Sequence, residues 1–283
     1  MKRKAKDLIN HAYQNKYAVP SVNVSNLETI MGAFEAANEY KSPILLQIAP
    51  IQLEMQHLTF ELAVKLIDVI ATKFPDVNYA IHLDHATSYT LCKEAIQQGF
   101  ESVMFDGSSL PFSDNLRITK SLRDEFSEVS LEGELGSFQN AEANDKEFNA
   151  EFYFTNPNQA LEFVTETKVD FLAISFGNNH GFYKEEPNLD FGLLEKIANL
   201  VNIPLVLHGG SGLPNEDIHK AISLGISKIN FFTQNDYAFT TAYLNASKDK
   251  PYMIKAVNKA QEAFCQSVKE CIELCRSKGE NYG

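Results

Sequence analysis

The chain has 283 residues, 44% hydrophobic and 22% charged, which excludes a mainly disordered or linker-rich protein and leaves room for one large domain. Asp and Glu total 37 against 25 Lys and Arg, a net charge of −12. That field excludes nucleic acid and anionic membrane as non-specific partners, but not a small anionic ligand held by local groups.

In chain order, the basic residues 1–7 lead into a mixed segment, Leu8 to Tyr17, rather than an apolar signal core. No later stretch approaches the ~18 apolar residues of a spanning helix. The expectation is a cytoplasmic protein. Short apolar runs then predict strands at Tyr17–Val24, Pro43–Ile48, Tyr79–Leu83, Ser102–Phe105, Val129–Gly133, Phe171–Ile174, Pro204–Leu207 and Ile226–Asn230. Between them, helical periods predict helices at Leu27–Tyr40, Thr59–Phe74, Ser88–Gln98, Ser113–Phe126, Pro157–Thr167, Phe191–Leu200 and Glu216–Leu224. Residues 235–278 continue as helix, interrupted near Asp249-Lys250-Pro251. Ser88 stands where a cap belongs, and Pro157 at a first helical position.

The strands are apolar on both parities, as buried parallel strands are. Eight strand–helix units predict one α/β domain over residues 1–283, a TIM (β/α)8 barrel with extra C-terminal helices. The rival, an open doubly wound sheet, usually carries a Gly-rich turn after an early strand, and none is present. Of the cysteines, Cys92 stands alone, while Cys265, Cys271 and Cys275 share one helical segment. No neighbouring Cys or His pair completes a tetrahedral site, so reduced structural thiols are expected.

In such barrels chemistry sits where strands end. His82-Leu83-Asp84-His85, Asn179-His180-Gly181 and Leu207-His208-Gly209-Gly210-Ser211-Gly212 place His85, His180 and His208 at three different strand ends. Three neutral imidazoles suit zinc and leave a position open for substrate. His82 is a core or supporting residue instead, and His11, His57 and His219 fall in helices or loops. The glycines after the seventh strand, with Asn230 to Thr233 after the eighth, suit a phosphate. Asp84, Asp106, Glu132 and Glu134 converge on the same rim, and acids so placed need a positive partner. A Schiff-base route would need a lysine near a strand end. Lys228 lies before the end of the eighth strand and Lys168 precedes the sixth, which favours a metal route.

Together these motifs, with Phe105-Asp106-Gly107-Ser108, Glu132-Gly133-Glu134-Leu135-Gly136 and Asn230-x-x-Thr233, resemble the class II, zinc-dependent fructose/tagatose-bisphosphate aldolase family. The resemblance runs from about Leu8 to Thr233, and more loosely beyond. It implies a lyase that cleaves a ketose 1-phosphate or bisphosphate to dihydroxyacetone phosphate and an aldehyde. It implies one catalytic Zn2+ on His85, His180 and His208, with Asp106 and Glu134 as holders of an alternative or second metal. Asp84 would be the acid/base. Gly181, Gly209, Gly210, Ser211, Asn230, Phe231, Phe232 and Thr233 would bind the triose phosphate, with Na+ or K+ near the same loop. A homodimer or homotetramer is implied as well. The family's Gly-Gly-x-Glu-Asp run after the fifth strand is replaced by residues 136–145, where Glu142 is the candidate for exchanging the triose proton. The small C-terminal Gly-Ser-Ala tail is also replaced, which leaves the aldehyde half open, including an uncharged or sugar-acid tail. A metal-dependent epimerase or hydrolase, or a non-catalytic sugar-phosphate-binding barrel, are the alternatives.

Overall fold

The computed structural model describes residues 1–136, 154–183, 187–248 and 252–282. Its strands are β1 (Val19–Asn23), β2 (Ile44–Ile48), β3 (Tyr79–Ala86), β4 (Ser102–Phe105), β5 (Ser130–Leu135), β6 (Phe171–Ile174), β7 (Leu205–Leu207) and β8 (Ile226–Phe231). Each pairs in parallel with its neighbour in sequence, and β8 returns to β1, closing a (β/α)8 barrel.

The described helices are α1 (Ala5–Asn15), α2 (Leu27–Tyr40), α3 (Pro50–Met55), α4 (Phe60–Ala71), α5 (Tyr89–Gln97), α6 (Phe112–Glu125), α7 (Pro157–Thr167), α8 (Phe191–Val201), α9 (Asn215–Ser223), α10 (Thr233–Ser247) and α11 (Met253–Leu274). None is long and apolar enough to cross a membrane. Local chemistry explains several starts. Ser88 Oγ accepts the Leu91 N–H, and Asn156 caps the helix that Pro157 opens. Asn26 and Thr29 bond reciprocally at the head of α2.

Two helices were not anticipated. α1 has no side-chain cap, and α3 is a six-residue turn opened by Pro50. Two strands outrun their expected ends by two residues or more: β3 reaches Ala86 rather than Leu83, and β5 reaches Leu135 rather than Gly133. Backbone pairing carries both past their apolar runs into polar residues.

One parity of the strands (Val22, Leu46, Ile81, Val103, Leu172, Ile229) joins the main core beneath the helices. The other parity fills the barrel in layers. At the bottom, Val19, Leu45, Ala80, Phe171, Ala173 and Val206 pack with Leu8 and Ile9 of α1 into a separate apolar cluster. Above it lies a buried polar layer, including Ser21, Gln47, His82, Ser102, Glu132 and Lys228. Uppermost are Asn23, Asp84, Glu134, His208 and Asn230, also buried.

At the chain's end, the Ala18 N–H donates to the Cys275 carbonyl and the Gly279 N–H to that of Tyr40, each at 2.9 Å. All four cysteines are buried free thiols. Burial pushes the Cys92 thiol up to about 12 and that of Cys265 up to about 11.

Candidate active site

The site is built where β3 breaks its regular pairing. Its register against β4 shifts between Leu83 and Ala86, and His85 adopts φ 50°, in the left-handed region. A bulge of this kind re-aims a side chain. Here it turns the imidazole onto the rim, beside those of His180 and His208. Ring centroids lie 5.1 Å apart for His85 and His180, 4.8 Å for His85 and His208, and 5.9 Å for His180 and His208.

Two overlapping donor groups result, His85 with His180 and His208, and His85 with Asp106 and Glu134. In each, one ligand atom per residue lies within 4.8 Å of the others. His85 Nδ1 is 2.8 Å from Asp106 Oδ2 and 3.8 Å from Glu134 Oε2. Asp106 is itself oriented by the Ser108 N–H and hydroxyl.

The electrostatics fit a cation. Burial, then the neighbouring His85, hold His180 down at about 4 and push His208 well below the ordinary imidazole range. Burial also pulls on His85, but Asp84, Asp106 and Glu134 outweigh it and raise it to about 10. Burial first, then Asp106 and its other carboxylate neighbours, push Glu134 well above the carboxylate range. Its Oε2 is buried and, among the described residues, accepts no hydrogen bond. Such an atom is costly unless something positive meets it. The donors present therefore suit a divalent metal, and the N-rich set suits zinc.

Asp84 sits one residue before the bulge and is 5% exposed. Three carboxamides clamp it. Asn23 and Gln47 donate to Oδ2 at 3.3 and 3.2 Å, and Asn230 donates to Oδ1 at 3.3 Å. Burial alone would raise its pKa. The charge of His85 leads the groups that outweigh it, and Asp84 stays below the ordinary carboxylate range. The carboxylate is thus held ionised and fixed in direction.

A cavity of about 220 Å³ opens above these groups. Its far wall suits an anion. Gly181 and Gly209 take positive φ, 91° and 71°, which a glycine backbone accepts without cost. A Cβ on Gly209 would lie 1.9 Å from the Asn179 carbonyl oxygen, so this approach requires glycine. The start of α10 adds amides: Phe232 supplies no side-chain cap, and the Gln234 N–H reaches Ser211 Oγ at 3.3 Å. The amides at a helix N-terminus attract phosphate.

Asp84, His85, His180, Gly181, Gly209, Ser211, Asn230, Phe232 and Thr233 all line this cavity. His208, Asp106 and Glu134 lie beside it without lining it, and Gly210 and Phe231 are not among its lining residues. Gly210 packs on Ile229, and the Phe231 side chain is buried in the main core. Glu142 lies outside the described residues.

Sequence reasoning passed over Asn23, Gln47 and Gln52, which line the cavity. Amides inside or just after apolar strands were the available signal. It also left Lys228 without a role. Lys228 Nζ lies 2.8 Å from Glu132 Oε2, whose partner oxygen is 2.8 Å from His208 Nε2.

Comparison with known proteins agrees with this geometry. Residues 3–280 match the family model described as fructose-bisphosphate aldolase class-II. A sulfofructosephosphate aldolase of Alkalicoccus urumqiensis is 38% identical over 280 residues, 97% of this chain and 96% of that one. A fructose-bisphosphate aldolase of Geobacillus stearothermophilus is 42% identical over 241 residues, 84% and 83% of the two chains. The crystal structure of the YdjI aldolase from Escherichia coli K12 superposes with TM-score 0.88 at 33% identity, covering 100% of both chains.

Proposed function

The chain belongs to the class II fructose-bisphosphate aldolase family, and from that premise we propose that it splits a ketose 1-phosphate reversibly into dihydroxyacetone phosphate and an aldehyde. The observation that carries this reading is one cavity lined by an amide-clamped Asp84, by His85 and His180 with His208 buried beside them, and by a glycine-and-helix cradle for an anion.

Asp84 takes the proton from the substrate hydroxyl that becomes the aldehyde. The adjacent carbon–carbon bond breaks, and its electron pair passes into the triose half as an enediolate. In synthesis Asp84 returns the proton. The three amides keep its carboxylate pointed at that hydroxyl, and orientation of this kind lowers the barrier. Gly181, Gly209, Ser211 and the start of α10 hold the phosphate, and Asn230 bridges that cradle to Asp84. His85, His180 and His208 would hold zinc, with Asp106 and Glu134 as a second or alternative set; bound there, zinc supplies a Lewis acid that stabilises the charge developing on the triose half. A second group must return a proton to the triose carbon, and Glu142 is the candidate by its place in the sequence.

A second observation bears on the aldehyde half. Asn23, Gln47 and Gln52 line the cavity there, and among the described residues no Lys or Arg lines it. Gln52 Oε1 already accepts from the Ala49 N–H and from Asn23, so its side-chain NH2 is left to donate. Asn23 and Gln47 spend their own NH2 groups within this network, so the one amide left, that of Gln52, fits a tail bearing a hydroxyl or single-acid acceptor better than a second phosphate.

The test is enzyme-coupled detection of dihydroxyacetone phosphate, with and without chelator. The panel holds fructose and tagatose bisphosphates, sulfofructose phosphate, and ketose 1-phosphates with neutral or acidic tails. Chelator-sensitive triose release from a ketose 1-phosphate is expected. Asp84→Ala should lower turnover by about 10²- to 10⁴-fold while zinc stays bound. A zinc-loaded protein that releases triose phosphate from no ketose would leave the epimerase and non-catalytic readings standing instead.

A further inference from the structure

Lys228 lies in β8 with its side chain wholly buried in the polar middle layer of the barrel. Among the described residues its ammonium meets Glu132 Oε2 at 2.8 Å and Asn230 Oδ1 at 2.7 Å. A buried ion pair adds little net stability over an apolar pair of similar volume. Stability alone therefore does not account for a lysine here.

What this ammonium does that an apolar group cannot is impose direction. It has donors only. Asn230 must turn its oxygen down to Lys228, which sends its NH2 up to Asp84 Oδ1 at 3.3 Å. Glu132 is held from the other side. With Oε2 on Lys228, its Oε1 meets His208 Nε2 at 2.8 Å. An imidazole that gives its Nε2–H to a carboxylate keeps the lone pair on Nδ1. That atom faces Glu134 Oε2, 3.2 Å away, on the rim side of the ring. His82 completes the layer, its Nε2 3.3 Å from Glu132 Oε2 and its Nδ1 2.7 Å from Ser102 Oγ.

We propose that Lys228 is a positioning residue that orients both halves of the catalytic apparatus at once: His208, through Glu132, and Asp84, through Asn230. This rests on the reading of His208 as a metal ligand and Asp84 as the acid/base. Lys228 itself contacts neither substrate nor metal; it acts by fixing which face of an imidazole and which end of a carboxamide look upward.

The experiment replaces the pair together, Lys228→Met with Glu132→Leu, so that no unpaired charge is left in the core. Thermal unfolding establishes that the double variant folds. Zinc affinity of the chelator-stripped protein is then read by competition with a chromophoric chelator, and triose release is measured at saturating zinc. Zinc should bind about 10- to 100-fold more weakly, as when a supporting partner of a metal histidine is lost. Turnover number should fall at least about tenfold, with KM moving less than about threefold, since the phosphate cradle is untouched. A folded double variant with wild-type zinc affinity and turnover would overturn the proposal. A variant-free measurement stands beside it. In ¹⁵N-histidine spectra of the metal-free wild type, His208, assigned with a His208→Gln variant, should hold its proton on Nε2. The opposite tautomer would overturn the proposal, even if the double variant fails to fold. Tight zinc without triose release from any ketose would defeat the substrate reading alone, because zinc affinity and tautomer still decide the role of Lys228. A wild type that binds no zinc would defeat both.

Discussion

The floor and the rim of this barrel are built from the same strands and obey opposite rules. At the floor, Val19, Leu45, Ala80, Phe171, Ala173 and Val206 close on α1 with apolar side chains, and the β7–β8 register shift at Val206 brings no polar group with it. At the rim, only a few residues along those strands, the side chains are amides, carboxylates and imidazoles. There the backbone bulges at His85, and Glu134 carries a buried oxygen that no described residue hydrogen-bonds. The floor supplies rigidity; the rim holds groups whose burial costs free energy unless a ligand completes them. The middle layer of Glu132, Lys228 and His82 separates the two, so His208 and Asn230 at the rim are held by hydrogen bonds with Glu132 and Lys228 rather than by the apolar floor.

That division can be broken from either side. The largest effect expected is at the floor. Phe171→Ala should cost about 3–5 kcal/mol of stability in denaturant unfolding, the usual cost of removing a fully buried aromatic side chain. Zinc affinity of the fraction that stays folded should change little; a loss comparable to that from a lost ligand would mean that floor and rim are not separable. Next is the rim. Gly209→Ala sets a methyl against the Asn179 carbonyl and a side chain at positive φ, a strain of about 1–3 kcal/mol. It should raise KM for dihydroxyacetone phosphate severalfold in the synthetic direction while zinc affinity holds. An unchanged KM would remove the glycine loop from the phosphate site.

Smaller still is the barrel wall. Asn26→Ala removes the α2 cap for about 1 kcal/mol, and should leave turnover as it was. Finally, burial raises the thiols of Cys92 and Cys265 and keeps them protonated at pH 8. A charged aromatic disulfide reagent should therefore leave the native protein nearly unlabelled over minutes, and label all four cysteines after unfolding. Rapid labelling of the native protein would show that the wall opens more readily than its packing implies.

Much of the rim was legible in the sequence because it falls at recurrent places: a His or Asp where an apolar run stops, and a Gly-rich turn after it. His85, His180 and His208 were found that way, although His85 arrives on the rim through a bulge that no periodicity announces. Asn23, Gln47 and Gln52 were passed over because a lone amide beside an apolar run looks like any surface residue. Only the closed barrel puts all three against the space above Asp84. Lys228 was set aside for lying short of its strand's end, and that depth is what places it under both Glu132 and Asn230. α1 went unseen because four of its residues pack onto a floor that exists only once the strands have closed.

By itself, then, the sequence determined the alternation of strand and helix, the apolar character of both strand faces, and the residue types at the strand ends. All three follow from local period and composition. Tertiary structure alone decided which inward positions stack in one layer, which imidazole nitrogen faces the rim, and which amides meet Asp84. Those are directional relations between residues up to 146 positions apart in the chain, and they come into being only when β8 pairs with β1.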